Sequence, residues 1–213
     1  FIAAAHPAQL QTVTFDAMGV TLAQKMNDGK FVASSLREDE LFTFYRADGG
    51  RDTLSTGKAP YPFRFQGIDD TSLKVKKRIF EYRLKYNGHN DQFVVCYCLN
   101  NLFEIYNSDG SLHKRIIAPY PYLVDTNHLS ADKLGVPIDE LIFTFKDCCL
   151  TDDRIFLLYN GSSPTGMIGA QSKIYVFDYE GNPIKYYLLD RYAHSFCIDK
   201  QGGVIYALSD END

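Results

Sequence analysis

A strand-and-turn pattern that occurs three times is the feature of this sequence that most constrains its fold. The clearest copy reads QFVVCYCLNNLFEIYNSDGSLHKRII, in which short β-forming runs alternate with polar turns. An earlier copy reads KFVASS, ELFTFYRADGG and RDTLS, and a later copy reads RIFLLYNG, SKIYVFDYEGN and PIKYYLL. Phe31, Phe93 and Ile155 open equivalent strands of the three copies, and both intervals are 62 residues. This period predicts an all-β protein, a β-propeller of four-stranded antiparallel blades.

The blade boundaries follow from this period. We expect a single propeller domain over residues 1–213, with blades at about 13–57, 78–117 and 141–189 and a partial blade at 193–213. The inner strands are predicted at Val13–Lys25, Arg78–Tyr86 and Leu141–Cys149, and the outer strand of the first blade at Asp52–Ser55. Three blades and part of a fourth leave strand edges unpaired unless the ring is closed. Two alternatives follow: the chain is part of a longer protein, or the ring closes by another route.

The links between the predicted strands fall into two classes. In a four-stranded meander, one face of the propeller carries the links between strands one and two and between strands three and four. In this sequence these links are all short. The opposite face carries the polar break at Asn100–Asn101 and three long segments, Phe63–Lys77, Leu123–Glu140 and Gly161–Gln171. Long loops in a compact domain tend to be retained for function, so we expect any ligand on this long-loop face.

Charge and cysteine content exclude several classes of protein. With a net charge of −5 and a pI near 5.5, the chain would repel a phosphate backbone, so we expect no nucleic-acid partner. The basic cluster at residues 74–78 is interpreted as a solvated loop. Five cysteines cannot all pair within the chain, and their strand-like surroundings indicate buried free thiols. These cysteines are Cys96, Cys98, Cys148, Cys149 and Cys197.

No hydrophobic run reaches the roughly 18 residues that a membrane-spanning helix needs, so we expect no transmembrane segment in this chain. The sequence begins at Phe1 rather than at a methionine, which we interpret as a processed or truncated start.

One short segment, DRYAHS at residues 190–195, brings an acid, a histidine and a serine close together in the sequence. A catalytic triad is assembled across a fold, and the neighbours His194 and Ser195 of one strand would point to opposite faces. We therefore predict no catalytic residue. The other histidines lack the spacing of metal ligands, and the cysteines lack the CxxC pairs of a zinc site. The sequence predicts no metal and no cofactor.

Arg191, Tyr192 and His194 are the candidate ligand-binding residues. They lie on a crossover between blades, which ends beside an inner strand where the central channel opens on the long-loop face. Arg191 offers a planar fork of donors, Tyr192 a stacking surface, and His194 a group that titrates near neutral pH. The alternative is a surface ion pair between Arg191 and Asp190, with Tyr192 serving only as a packed side chain.

Tyr61 and Tyr120 are two further candidates, because each is the tyrosine of an Ala-Pro-Tyr-Pro crossover. As structural residues they would wedge between neighbouring blades. As ligand-binding residues they would stack on a ligand at the long-loop face. Their repetition favours the structural role, since a binding site rarely needs the same residue from each blade.

Residues Asp178–Leu208 follow the pattern D-x-x-G-N-P…L-D…F-x-I-D…G-x-I-Y-A-L. Together with the Asp-Gly turns and the Ala-Pro-Tyr-Pro crossovers, this stretch resembles the TolB-like six-bladed β-propellers of bacterial envelope lipoproteins. The resemblance covers about residues 30–213. It implies a six-bladed ring, export to the periplasm or to the outer membrane, and attachment through a lipid anchor outside this chain. The sequence departs from the family in having too few blades and no lipobox cysteine.

Two functions of different classes remain open. One is a binding or scaffold module for a protein, peptide or glycan partner, which needs only the polar and aromatic surface of the long loops. The alternative is a propeller-type hydrolase or lyase with a metal in the central channel, which needs acidic residues or histidines where the inner strands begin. These starts are basic or apolar, as in Arg78-Ile79-Phe80 and Leu141-Ile142-Phe143, so the sequence favours a binding module.

Overall fold

The computed structural model of the chain describes residues 12–17, 19–35, 40–53, 61–62, 73–117, 141–163, 171–199 and 203–209. These residues form thirteen strands and one helix. In chain order the elements are β1 (Val20–Lys25), β2 (Phe31–Ser35), β3 (Thr43–Tyr45), α1 (Leu73–Ile79), β4 (Tyr82–Asn87), β5 (Gln92–Tyr97), β6 (Leu102–Asn107), β7 (Leu112–Ile117), β8 (Phe143–Leu150), β9 (Ile155–Ser162), β10 (Lys173–Phe177), β11 (Pro183–Leu188), β12 (Ser195–Ile198) and β13 (Ile205–Leu208).

The strands are arranged in four antiparallel sheets that follow one another along the chain. Within the described residues, sheet one has the order β1-β2-β3, sheet two β4-β5-β6-β7, sheet three β8-β9-β10-β11, and sheet four β12-β13. Each strand pairs with its neighbours in sequence, which is the meander of a propeller blade. The predicted fold class, an all-β propeller of four-stranded antiparallel blades, is confirmed.

The 62-residue period of the sequence corresponds to a repeated position in the sheets. Phe31, Phe93 and Ile155 each lie on the second strand of a sheet. Each is paired with the last or the second-last residue of the first strand of its sheet, and these partners are Lys25, Tyr86 and Leu150. The predicted equivalence of the three residues is confirmed.

The turns between third and fourth strands press against the preceding sheet. Gly110 and Gly181 have φ values of +88° and +78°, a region that glycine adopts without strain. A Cβ on Gly110 would lie 2.9 Å from the ring of Phe44 in sheet one, and a Cβ on Gly181 would lie 2.6 Å from Cγ1 of Ile116 in sheet two. These two turns therefore need glycine both for the backbone angle and for the close approach of neighbouring sheets.

The hydrophobic core lies between neighbouring sheets, and β5 shows how it is divided. Residues 93–97 are all fully buried. Phe93, Val95 and Tyr97 pack in the cluster shared with sheet one, whereas Val94 and Cys96 pack in the cluster shared with sheet three. Because successive side chains of a strand point to opposite faces, a strand covered on both faces reads as one continuous apolar run.

Helix α1 corrects the prediction for the segment before sheet two. The sequence predicted a polar insertion followed by a strand from Arg78, but residues 73–79 are helical and β4 begins only at Tyr82. Leucine, lysine and arginine favour a helix, and the last turn carries three basic side chains that the negative end of the helix dipole stabilises. Ile79 and Phe80 are buried in the core between sheets one and two, which is why they resembled strand residues.

The first blade also differs from the prediction at its outer edge. In the described part of this blade, only the isolated bridge between Tyr45 and Arg51 follows β3, so the strand predicted from Asp52 is wrong for residues 52 and 53. Asp52 is instead buried and bound by a cation, with its Oδ2 3.0 Å from Nζ of Lys30. Residues 54 and 55 of the predicted strand lie outside the described residues.

The cysteines follow the prediction only in part. Cys96, Cys98 and Cys148 are buried free thiols, as expected. Cys149 is half-buried and Cys197 on β12 is exposed, so the expected burial does not hold for these two thiols.

Candidate functional site

The link between the second and third strands of sheet two lies on the long-loop face and is firmly held. Asn100 was predicted to be part of a polar break, but it is fully buried and its Nδ2 donates to the carbonyl of Ile79 at 2.8 Å. From sheet three, the hydroxyl of Thr144 lies within 3.2 Å of the carbonyl oxygens of Tyr97, Cys98 and Asn100. A buried polar residue with its hydrogen bonds satisfied fixes a link rather than loosening it.

The segment that carries Arg191, Tyr192 and His194 is anchored to sheet three through its backbone. The N–H of Ala193 donates to Oγ of Ser172 at 2.9 Å, and this hydroxyl donates to Oδ1 of Asn160 at 2.7 Å. Nδ2 of Asn160 in turn donates a hydrogen bond to the carbonyl of Ala193 at 3.3 Å. All three of these anchoring residues are buried. The segment thus reaches β12 in a fixed conformation.

The side chains on this segment stay at the surface or close to it. The guanidinium of Arg191 lies 3.3 Å from the carboxylate of Asp190, which is the surface pair that the sequence left open as the alternative. The rings of Tyr192 and His194 meet edge to face, with centroids 4.9 Å apart, and both residues are half-buried. Arg191 remains exposed, so a cation, an aromatic ring and an imidazole lie within one short segment that leads into the inner strand β12.

Tyr61 lies elsewhere in the fold. Its ring packs on Phe80 with centroids 5.0 Å apart, and Nζ of Lys77 lies 5.7 Å from the centre of the ring. It therefore borders the core between sheets one and two, whereas Ala193 belongs to the core between sheets three and four. The described contacts do not bring Tyr61 together with Arg191. Tyr120, the second crossover tyrosine, lies outside the described residues.

Sheet two contains a buried polar network that was not predicted from the sequence. Glu104 has no exposed side-chain surface, and its Oε2 accepts hydrogen bonds from the hydroxyls of Tyr97 at 2.5 Å and Tyr106 at 2.8 Å. Its Oε1 is 2.6 Å from the guanidinium of Arg115 on the neighbouring strand. Burial, and then the carboxylate, raise the pKa of both phenols. The available signal was a single charged residue inside the apolar run LFEIY.

The described residues contain neither a cluster of metal ligands nor a membrane-spanning helix. Within the described ranges, no group of three or more histidine, cysteine, aspartate or glutamate residues could hold a metal ion. The same part of the chain has no helix that is long and apolar enough to cross a membrane.

Four-stranded antiparallel sheets that repeat along the chain and pack face to face define this protein as a β-propeller. The chain belongs to the family of TolB-like 6-blade propeller-like proteins, because the family model matches residues 5–201. No curated protein matches the sequence significantly.

The solved structures that align with this chain share little sequence with it. A eukaryotic initiation factor aligns with a TM-score of 0.44 at 9% identity, covering 83% of this chain and 34% of its own. A proposed 6-phosphogluconolactonase from Bacteroides fragilis aligns with a TM-score of 0.46 at 14% identity, covering 88% of this chain and 47% of its own. The WD40 domain of Pan2 from Neurospora crassa has a TM-score of 0.29 at 10% identity, with coverages of 80% and 52%. The chain thus spans between a third and about half of the length of these proteins.

Proposed function

We propose that this protein is a non-catalytic binding module of the bacterial envelope, which recognises a protein, peptide or glycan on its long-loop face. The binding residues in this proposal are Arg191, Tyr192 and His194. Arg191 donates to a carboxylate or hydroxyl of the ligand, and Tyr192 stacks on an apolar or sugar ring. The family is associated with the bacterial envelope, which supports a location in the periplasm or on the outer membrane.

The observation that carries the proposal is the rigid presentation of these three side chains. The network of Ser172, Asn160 and Ala193 fixes the backbone of the segment, so little conformational entropy is lost when a ligand binds. The segment leads directly into β12, the first strand of sheet four. Tyrosine and arginine are both enriched among the residues that contribute most of the binding energy at protein interfaces.

The experiment begins with the full chain immobilised against a random-peptide library and a glycan array. The affinity of each selected ligand is then measured for the wild type and for the double variant Arg191→Ala/Tyr192→Ala. We expect the affinity to fall by about tenfold or more, because truncation of a central aromatic or arginine residue typically costs more than 1 kcal/mol. The melting temperature should stay close to that of the wild type, since both side chains lie outside the core clusters.

The matched control is Lys185→Ala/Tyr186→Ala on β11, which removes a cation and an aromatic ring from the outer strand of sheet three. Tyr186 is 62% exposed, so this variant should keep both its fold and its affinity. Three results would contradict the proposal: no saturable ligand from either library, an unchanged affinity of the Arg191/Tyr192 variant, or an equal loss in both variants.

A further inference from the structure

The junction between the inner strands of sheets two and three carries an unusual concentration of positive charge. β4 and β8 are the first strands of their sheets and contact each other directly. Arg83 and Lys85 lie on β4, and Lys146 lies on β8. Inner strands line the central channel of a propeller, so these three residues lie on the two strands of the junction that are nearest to the channel.

The three cations affect two thiols, one on each side of this junction. Burial raises the pKa of the Cys98 thiol to about 12, and the positive charges of Arg83 and Lys146 both oppose this rise. Burial also raises the pKa of the Cys149 thiol, near the C-terminal end of β8, and the positive charge of Lys85 opposes this rise. All three side chains reach solvent to some degree: that of Arg83 is 34% exposed, Lys85 is exposed and Lys146 is half-buried.

The nearby carboxylates already form ion pairs or hydrogen bonds with other groups. Glu81 lies 2.6 Å from the guanidinium of Arg78 and 3.8 Å from that of Arg83. Asp147 accepts hydrogen bonds from two backbone N–H groups, that of Cys148 at 2.9 Å and that of Phe196 at 3.3 Å. Within the described part of the chain, neither Lys85 nor Lys146 forms an ion pair; Lys146 lies 5.3 Å from the centre of the Phe143 ring.

This local excess of positive charge runs against the net charge of −5 of the whole chain. Cationic side chains that share a wall with buried apolar groups keep a stronger potential than the same charges dispersed in water, because the low-dielectric wall screens them less. A planar guanidinium beside two ammonium groups suits an anion with several oxygen atoms: the fork of Arg83 can bind two oxygens together, and each lysine contributes a point charge.

We propose that Arg83, Lys85 and Lys146 form a binding site in the channel for a small polyanion that carries two or more carboxylate or phosphate groups. Lys85 and Lys146 supply the charge that no acidic side chain of the described junction neutralises, and Arg83 orients the ligand. The site is separate from the segment 190–194 and does not depend on the function proposed for that segment.

The test uses the full chain and two probes, citrate for carboxylates and pyrophosphate for phosphates, by isothermal titration at low ionic strength. Sodium chloride at the same ionic strength is the control for general screening. We expect at least one probe to bind saturably. In Lys85→Gln/Lys146→Gln the affinity should fall by about tenfold or more, since charge-assisted hydrogen bonds are lost while the size of the side chains is nearly kept.

The matched control is Lys114→Gln/Lys185→Gln, which removes the same charge from the outer strands β7 and β11. This variant should bind within about threefold of the wild type, because long-range charge effects are weak across a screened surface. If the double variant at the channel does not fold, Lys85→Gln alone is measured, since that exposed side chain is not part of the core. The proposal is overturned if neither probe binds above the chloride control, or if both double variants lose affinity equally.

Discussion

At the scale of single residues, the glycine turns allow backbone strain and steric contact to be measured separately. Gly29 and Gly110 have nearly the same φ, +83° and +88°. A Cβ on Gly29 would meet nothing within 4 Å, whereas a Cβ on Gly110 would press on the ring of Phe44. The first position tests the backbone angle alone, and the second tests the angle together with the contact between sheets.

We expect Gly29→Ala to lower the free energy of unfolding by about 1 kcal/mol, because alanine is strained at positive φ. Gly110→Ala should cost about 2–4 kcal/mol, because the buried ring must also move. Urea denaturation of both variants measures the difference. Equal costs at the two positions would mean that the turn of sheet two does not press on sheet one.

Buried tyrosines set the response of the protein to alkaline pH. Burial, and then the hydrogen bond to Asp91, raise the pKa of Tyr86 to about 12, and burial raises the pKa of Tyr82, Tyr97 and Tyr179 as well. An unfolded tyrosine releases its proton near pH 10. Above that pH the unfolded chain therefore holds fewer protons than the folded chain, and unfolding becomes more favourable as the pH rises.

We expect the free energy of unfolding to be unaffected by these tyrosines below pH 10 and to fall between pH 10 and pH 12. Denaturation midpoints measured across this range test the trend, and phenolate absorbance reports the ionisation directly. In guanidinium chloride the absorbance should rise near pH 10. If the native protein showed the same titration without unfolding, the tyrosines would not be buried.

At the scale of elements, the network around Glu104 joins strands β5, β6 and β7. Replacing Glu104 by leucine removes the acceptor of two tyrosine hydroxyls and the partner of Arg115. We expect a loss of about 3 kcal/mol in the free energy of unfolding, because breaking a buried pair leaves polar groups without partners. The partial exposure of Arg115 limits this loss, since its guanidinium can be hydrated.

The matched control for this prediction is Glu180→Gln. Its carboxylate lies 3.6 Å from His113 but is 69% exposed, and exposed ion pairs contribute little. We expect a change within about 0.5 kcal/mol. Chemical denaturation of both variants gives the comparison. A Glu104→Leu variant as stable as the wild type would show that apolar packing compensates for the network.

The sequence predicted strands better than it predicted contacts across them. The period of 62 residues and the Asp-Gly turns placed Phe31, Phe93 and Ile155 on equivalent strands, since turn chemistry and alternation are local properties. Helix α1 was missed because Ile79 and Phe80 are apolar in either conformation. The contact between Glu104 and Arg115 depends on strand register, which spacing along one strand does not reveal.

The candidate site was likewise predicted from the sequence only in part. Topology predicted that the segment 190–194 precedes the inner strand of sheet four, and the sequence left the Asp190–Arg191 pair open as an alternative. It contained no sign of the Ser172 and Asn160 anchor, because those residues precede the segment by about 20 to 30 positions and meet it only through the sheet. The charged junction of β4 and β8 likewise requires two blades to be packed together.

At the scale of the whole molecule, a binding module and a metal-dependent propeller hydrolase differ in metal content. We expect the full chain, purified without chelators, to contain well below one equivalent of zinc or calcium. Elemental analysis of the dialysed protein measures this directly, with the dialysis buffer as the blank. Close to one equivalent of either metal would favour the hydrolase over the binding module, because a channel metal is the feature that such an enzyme requires.

The two faces of the propeller give the most direct test of the proposed function. Hydrogen exchange of the full chain is measured by mass spectrometry with and without a ligand selected from the libraries. We expect protection on the long-loop face, at Asp190–His194, because a bound ligand excludes water from this segment. The short turns at Asp109–Ser111 and Glu180–Asn182 should exchange equally in both states. Protection confined to those short turns would contradict the account.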